Sequence, residues 1–323
     1  MRMSRKPTRR EPSIITVGLS PAWDITCRGR NLDWGLHKYI DQQAIRPAGK
    51  ALNVSKALAW MGQRNIAAGL WGRNDYQQML TAVRSLWPLI RVKMATVAGD
   101  TRQNVTVVDT AKDRDMHLRN RSELVSRAAL RRLRADLDAL VGKSSVCVLA
   151  GAMPEDELLP DLVRMVESCH GRGAKIVLDT SGPALKEIVD TGWVWLIKPN
   201  VRELGELLGE QVEDNSPALV RGGRKLLEKV EIILISRGKK EAVLVMRQSA
   251  WQGRYRGYRK TRSTVGCGDY LLAGFLKALC ENCRPELALK SGLKVAAARA
   301  WAWDERKGWP QVENQIAVGV DRI

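Results

Sequence analysis

The sequence predicts an α/β fold: a mostly parallel central sheet in three layers, with helices on both faces. Three observations predict it. Short runs rich in Val, Ile and Leu alternate with helical patterns along most of the chain, as repeated strand–helix–strand units require. Polar, glycine-bearing motifs collect where those runs end, which is where such sheets place ligands. Two stretches, about 22–46 and about 100–119, lack helical periodicity and contain strand-like runs. Excursions of that length serve as a lid or a dimer contact, or are decorative insertions.

The elements follow in order. "SIITVGL" (13–19) reads as a strand, and "KALNVSKALAWMG" as a helix with Leu52, Ala57, Leu58 and Met61 on one side. "QNVTVVDT" is the best strand of the two excursions. "SSVCVLAG" and "AKIVLDTS" are short buried strands. The helical segment between them, "PEDELLPDLVRMVESCHGRG", has Gly171 and Gly173 as stop signals. "GWVWLIKPN" and "EIILISRG" repeat the strand pattern. "GCGDYLLAGFLKALC" places Leu271, Leu272, Phe275, Leu276 and Leu279 on one helical face. No Pro-, Gly- or Ser-rich linker and no internal repeat interrupts the pattern. The expected organisation is therefore a single domain over 13–323 behind a basic, disordered tail at 1–12.

Composition narrows the class. The chain has 323 residues, 45% hydrophobic and 27% charged, the balance of a globular protein. No apolar run approaches the roughly 20 residues that span a bilayer, and "MRMSRKPTRREP" has no apolar segment behind it, so a cytoplasmic protein is expected. Six cysteines lack a framework spacing, which suits reduced thiols. "CENC" pairs Cys280 with Cys283, but a zinc ribbon needs a second pair; the expected place for it is an exposed helix end. The net charge of +18 raises nucleic-acid binding, yet the basic residues are spread along the chain and no nucleic-acid-binding motif accompanies them. Handling of phosphorylated small molecules suits the same charge. "VGKSS" ends like a P-loop, but Leu137 stands where its first glycine belongs.

The chemistry concentrates in "STVGCGD" (263–269). Gly266 and Gly268 precede a helix, whose first turn offers unpaired N–H groups and a partial positive charge to an anion. Asp269 falls in that turn, where the same field favours its ionised form. A phosphate cradle beside a proton acceptor is what phosphoryl transfer to a hydroxyl needs. An ordinary helix start with Asp269 as a cap fits the fragment as well.

Other motifs break that tie. "STVGCGD" resembles the C-terminal signature of the phosphofructokinase B (ribokinase-like) sugar kinases, in the 1-phosphofructokinase and tagatose-6-phosphate kinase branch. The resemblance runs from about 14 to about 300 through "LSPAWDIT", "PAGKALNVSKALAWMG", "TRQN", "LDTSGPALK", "IKPNVREL" and "LISRG". It implies a ribokinase-like fold whose lid often joins two copies in a homodimer. It further implies an ATP- and Mg2+-dependent kinase of fructose 1-phosphate, fructose 6-phosphate or tagatose 6-phosphate. Asp269 would be the catalytic base, with Gly266, Cys267 and Gly268 as the anion hole. Asp24, Gly49, Lys50, Asn53 and Arg102 would bind substrate, Lys50 and Arg102 through its existing phosphate. Lys198, Asn200, Ser236 and Gly238 would serve the nucleotide, and Glu203 would hold magnesium through water.

The chain departs from the family pattern at several positions. Ala48 and Ala51 stand for glycines, which is expected to narrow the space where backbone meets sugar. Met153-Pro154-Glu155 replaces a Pro-Pro motif, Glu241 replaces a glycine and Tyr270 a small residue, and "LHKY" (36–39) does not reproduce the basic lid motif. These departures sustain a second reading, a catalytically weak relative that binds sugar phosphate or nucleotide as a sensor.

Overall fold

Residue Ile14 and its neighbours show how the layers arise. Along β1 (Ser13–Gly18), Ile15 and Val17 join one buried cluster, while Ile14 joins another on the opposite side. Successive strand residues point to opposite faces, so a wholly apolar strand needs cover on both. The computed structural model describes residues 13–35, 37–154, 156–238, 242–257, 259–303 and 305–323. The tail at 1–12, Leu36, Glu155 and Glu241 lie outside them.

After β1 come β2 (Ala22–Gly29), β3 (Gln42–Ala48), α1 (Lys50–Trp60), β4 (Asn65–Gly72), α2 (Tyr76–Leu86) and β5 (Ile90–Val97). The hairpin strands β6 (Gln103–Asp109) and β7 (Arg114–Arg119) precede α3 (Arg127–Leu140) and β8 (Ser145–Ala150). Then follow α4 (Leu159–Gly171), β9 (Lys175–Asp179), α5 (Gly182–Asp190), β10 (Val194–Ile197), α6 (Val201–Leu208), α7 (Ser216–Leu226) and β11 (Val230–Ser236). The chain closes with β12 (Ala242–Met246), β13 (Ser249–Tyr255), α8 (Cys267–Cys280), α9 (Pro285–Ala300), α10 (Trp309–Glu313) and β14 (Val318–Arg322).

The large sheet has ten strands in the order β14-β13-β12-β11-β10-β9-β8-β1-β4-β5. It is parallel from β5 to β11 and antiparallel from there to β14. Helices α3 to α7 cover one face through Leu133, Met165, Ile188, Leu204 and Leu219; α1, α8, α9 and α10 cover the other through Leu58, Phe275, Leu289 and Val312. Chain order reverses between β1 and β8, and a crevice opens beyond the strand ends at such a point.

The two excursions form a second sheet, ordered β3-β2-β6-β7. Its β2–β6 pair is parallel and its two outer pairs antiparallel. Cys280 ends α8 and Cys283 lies in the turn that follows; both are half-buried and neither forms a disulfide. No helix among the described residues is long and apolar enough to cross a membrane.

Candidate active site

The site assembles where α1 and α8 both begin at the crevice. Gly49 precedes α1 with φ 121°, and a Cβ there would stand 3.2 Å from the Pro21 Cα, so only glycine fits this turn. Four residues on, Asn53 projects toward α8 and donates from Nδ2 to Asp269 Oδ2 at 2.9 Å. Gly266 caps α8 in the left-handed region. Among the described residues no acceptor takes the Gly268 and Asp269 N–H groups, while that of Cys267 reaches the Thr264 carbonyl at a long 3.4 Å. Burial raises the Cys267 thiol to about 11, so it stays protonated and contributes its backbone.

Asp269 itself departs from the expectation of a readily ionised carboxylate. It is 5% exposed. Burial, and then the negative charge of Asp179, raise it to about 6 against the pull of Asn53, Lys50 and Lys198. Desolvation outweighs the helix-end field. The group still ionises at neutral pH, and a pKa this close to neutrality makes it a better proton acceptor than an ordinary aspartate.

Asp179 is a site residue that motif reading passed over. It ends β9, is 1% exposed, and accepts from Lys50 at 3.3 Å and Lys198 at 3.2 Å. Burial pushes its carboxyl up, but Lys198 and Lys50 together outweigh that and hold it below the usual range. Its second oxygen and the Thr180 hydroxyl are buried without a partner among the described residues. Lys50 is raised chiefly by Asp179, with Asp269 and Glu203 adding to the effect. Lys50 therefore lies at the anion-hole end of the crevice and does not line the sugar-sized cavity. Gly268 lets Lys198 come close, since a Cβ there would stand 3.1 Å from its Nζ.

Beyond Lys198, Asn200 and Glu203 form a reciprocal capping box on α6 at 2.9 and 3.0 Å. One Glu203 oxygen is thereby committed. Ser236 bridges to Asn200, and its N–H reaches the Pro199 carbonyl at 2.9 Å. Gly238 is exposed with φ 62°. These residues line one stretch of strand ends, beside the anion hole.

On the other side of Asp269 lies a cavity of about 370 Å³, lined by Asp24, Asn53, Lys56, Tyr270, Arg299 and Glu305 among others. Asp24 reaches in from β2, held by Asn104 at 2.9 Å. Arg102 stays outside. Its Nε, Nη1 and Nη2 donate to the carbonyls of Pro21, Asn120 and Ser20 at 3.1, 2.7 and 3.2 Å.

The departures are absorbed differently from the expectation. Ala48 and Ala51 are 1% and 4% exposed and face the interior, so neither methyl enters the cavity. A Cβ on Gly18 would meet the Ala51 Cβ at 3.0 Å, so that methyl fills space the strand leaves open. Tyr270 is 3% exposed, packs beside Trp60 and donates its hydroxyl to Glu305. It forms a wall of the cavity without blocking it. His37, Lys38 and Tyr39 are exposed.

The residues present fit phosphate and, less directly, magnesium. Orphaned N–H groups, two lysines and a glycine at 268, where a Cβ would crowd the Lys198 ammonium, suit phosphoryl oxygens. Among the described residues no group of three His, Cys, Asp or Glu is arranged to hold a metal. A carboxylate such as Glu203, acting through water, suits an ion that keeps part of its hydration shell.

The chain is similar to known proteins over most of its length. The chain is 27% identical over 286 residues to the 1-phosphofructokinase of Vibrio cholerae, covering 88% of this chain and 87% of that one. It is 27% identical over 305 residues to the 1-phosphofructokinase of Bacillus subtilis, covering 94% and 97%. The phosphofructokinase-2 of Escherichia coli, solved with fructose-6-phosphate, shares the fold at a TM-score of 0.85 and 20% identity, over 94% of this chain and 98% of that one. The profile of the pfkB family carbohydrate kinases matches residues 19–300, which contain Asp24, Gly49, Asn53, Asp179, Lys198 and Asp269. The chain thus belongs to the pfkB family of carbohydrate kinases and is a phosphotransferase with a hydroxyl acceptor.

Proposed function

We propose that the protein transfers the γ-phosphoryl group of ATP to a hydroxyl of a phosphorylated ketohexose, giving the bisphosphate and ADP. The observation that carries this reading is the Asp269–Asn53 pair, set between unpaired α8 N–H groups and a cavity of small-ligand size. The acceptor oxygen attacks the γ-phosphorus, its proton passes to Asp269, and the bond from that phosphorus to ADP breaks. Asn53 orients the carboxylate, and Asp24 and Asn53 read sugar hydroxyls. Gly49 lets the chain turn close to the sugar.

The N–H groups of Gly266, Cys267 and Gly268, with Lys198, offset the charge that develops on the transferring group. Lys50 adds to that field, and Asp179 fixes both lysines in place. Asn200, Ser236 and Gly238 flank the nucleotide. Glu203 would hold magnesium through water, and the ion when bound would neutralise phosphate charge. The relatives named 1-phosphofructokinase favour fructose 1-phosphate over fructose 6-phosphate and tagatose 6-phosphate as acceptor.

The binding-only reading loses most of its motive, because Ala48 and Ala51 lie in the interior and Tyr270 is tied to Glu305. Trp34, Tyr39, Ile45, Met116 and Leu118 are large apolar groups exposed on the lid, which supports pairing of two copies through it. Phosphorus NMR of the protein with ATP, magnesium and each phosphohexose tests the reaction. A second sugar monoester resonance growing with ADP is expected. ATP left intact with all three sugars would refute the proposal.

A further inference from the structure

At the back of the cavity beside Asp269 sits a buried lysine that takes no direct part in phosphoryl transfer. Lys56 lies one helical turn beyond Asn53 on α1, is 7% exposed and lines the cavity. Its Nζ donates to the Pro47 carbonyl and to Asn53 Oδ1 at 3.5 Å, and stands 4.7 Å from the centre of the Trp87 ring. An ammonium is costly to bury, so one kept here is held by specific contacts.

Asn53 therefore stands between two groups of opposite character. Its Nδ2 meets Asp269 Oδ2 at 2.9 Å, and its Oδ1 meets the Lys56 ammonium. An ionised carboxylate only accepts hydrogen bonds and an ammonium only donates them. One orientation of the amide satisfies both neighbours; the flipped one sets oxygen against oxygen and N–H against N–H. The choice matters because Asp269 is half-protonated near pH 6. A protonated carboxyl can donate to a flipped amide oxygen, which would keep the proton on Asp269. The Lys56 ammonium removes that alternative by claiming Oδ1, and the Asn53 N–H then lowers the carboxyl against its burial.

The charge on Lys56 is itself set by the cavity. Burial lowers it to about 8, with Asp24 and Glu305 raising it and Arg299 and Arg46 lowering it. Asp24 and Arg28 of β2, Arg46 of β3, Tyr270 of α8, Arg299 of α9 and Glu305 beyond it share this space. Lys56 is therefore mostly charged through the range in which Asp269 titrates.

We propose that Lys56 is a positioning residue for the Asp269 base: by holding Asn53 Oδ1 it keeps the Asn53 N–H on the carboxylate and prevents the amide from flipping. Its bearing on turnover rests on the phosphosugar-kinase reading, and the test separates the two. Carbon NMR of isotope-labelled aspartate follows the Asp269 carboxyl from pH 4 to 9 in the full-length protein, assigned by the signal lost in Asp269→Asn. The wild type is compared with Lys56→Met, Lys56→Leu, Lys56→Arg and Asn53→Ala, and with Lys56→Met on the Asn53→Ala background. Methionine and leucine suit a buried site, and thermal melts confirm folding. The pH dependence of kcat/KM for the acceptor is measured alongside.

The neutral variants should carry the Asp269 midpoint from about 6 to about 7. They should lower kcat/KM about fivefold at pH 6 and leave it within about twofold at pH 7.5, with the KM for ATP unchanged. Lys56→Arg, a donor that stays charged, should keep the midpoint near 6. With Asn53 already removed, Lys56→Met should retain less than about a third of its effect. A wild type that phosphorylates no phosphohexose fails the kinase reading, and the NMR titration still decides this inference. An unchanged midpoint in either folded neutral variant would overturn it. So would a rise in Lys56→Arg as large as in Lys56→Met, the full rise on the Asn53→Ala background, or a loss of kcat/KM uniform across pH.

Discussion

The variant Asp269→Asn keeps the side chain's shape and an acceptor oxygen for the Asn53 Nδ2–H, but removes the charge and the capacity to take a proton. The wild-type carboxyl is raised from 3.8 to about 6 inside the fold. At about 1.4 kcal/mol per pKa unit, two units correspond to about 3 kcal/mol that the folded state loses once the group ionises. Burying an amide N–H pair without a full set of partners returns roughly 1 kcal/mol of that. Asp269→Asn should therefore be about 1–2 kcal/mol more stable than wild type at pH 8, a rise of roughly 2–6 °C in Tm.

The sign follows from proton uptake. Between the unfolded value near 4 and the folded value of about 6 the native state binds more protons, so wild-type stability falls as pH rises through that window. The advantage of the variant should be full above pH 7 and vanish toward pH 4. Turnover should drop by about 10²–10⁴, the contribution of a positioned general base. Urea unfolding from pH 4 to 8 and a coupled ADP-release assay measure the two effects. A variant less stable than wild type at pH 8, or one keeping turnover within tenfold, would refute the reasoning.

Three further outcomes are expected. Because the base must be ionised, kcat/KM for the acceptor should fall as pH drops through about 6, and a profile flat to pH 5 would remove Asp269 from that role. Asp179→Asn strands Lys198, which is 6% exposed, without its counter-charge, and should cost about 3 kcal/mol in urea unfolding. A loss under about 1 kcal/mol would show that the pair is not a structural tie. Gly268→Ala places a methyl 3.1 Å from the Lys198 Nζ and should lower kcat by about tenfold through displacement of that ammonium. Unchanged kcat would mean that the lysine does not act on the transferring group.

What the sequence revealed follows its local signals. Strands such as "SIITVGL" and "KIVLD" were legible because both of their faces are buried, and α8 because its apolar residues recur at helical spacing. The glycines before Asp269 marked an anion site through backbone chemistry alone. The antiparallel edge β12–β14 carried no motif and passed unread.

The cavity wall was hidden for another reason. Lys56 lies off the apolar side read for its helix, and its burial depends on Trp87 and Pro47 arriving from elsewhere. Tyr270, Arg299 and Glu305 meet only after α9 folds back on α8. Asp179 did leave a signal, a carboxylate at the end of a buried strand, where charge is retained only if it is paired. Arg102 stands where its motif places it, and three of its five N–H donors meet backbone carbonyls that spacing does not reveal.

The most direct measurement is acceptor-dependent ADP release with ATP and magnesium, comparing kcat/KM for fructose 1-phosphate, fructose 6-phosphate and tagatose 6-phosphate with free fructose and tagatose. A phosphosugar kinase should turn over one phosphorylated acceptor at least about a hundredfold more efficiently than its unphosphorylated form, as expected when a charged, hydrogen-bonded group is read. Equal efficiency with free sugars, or no release with any acceptor, would contradict the account.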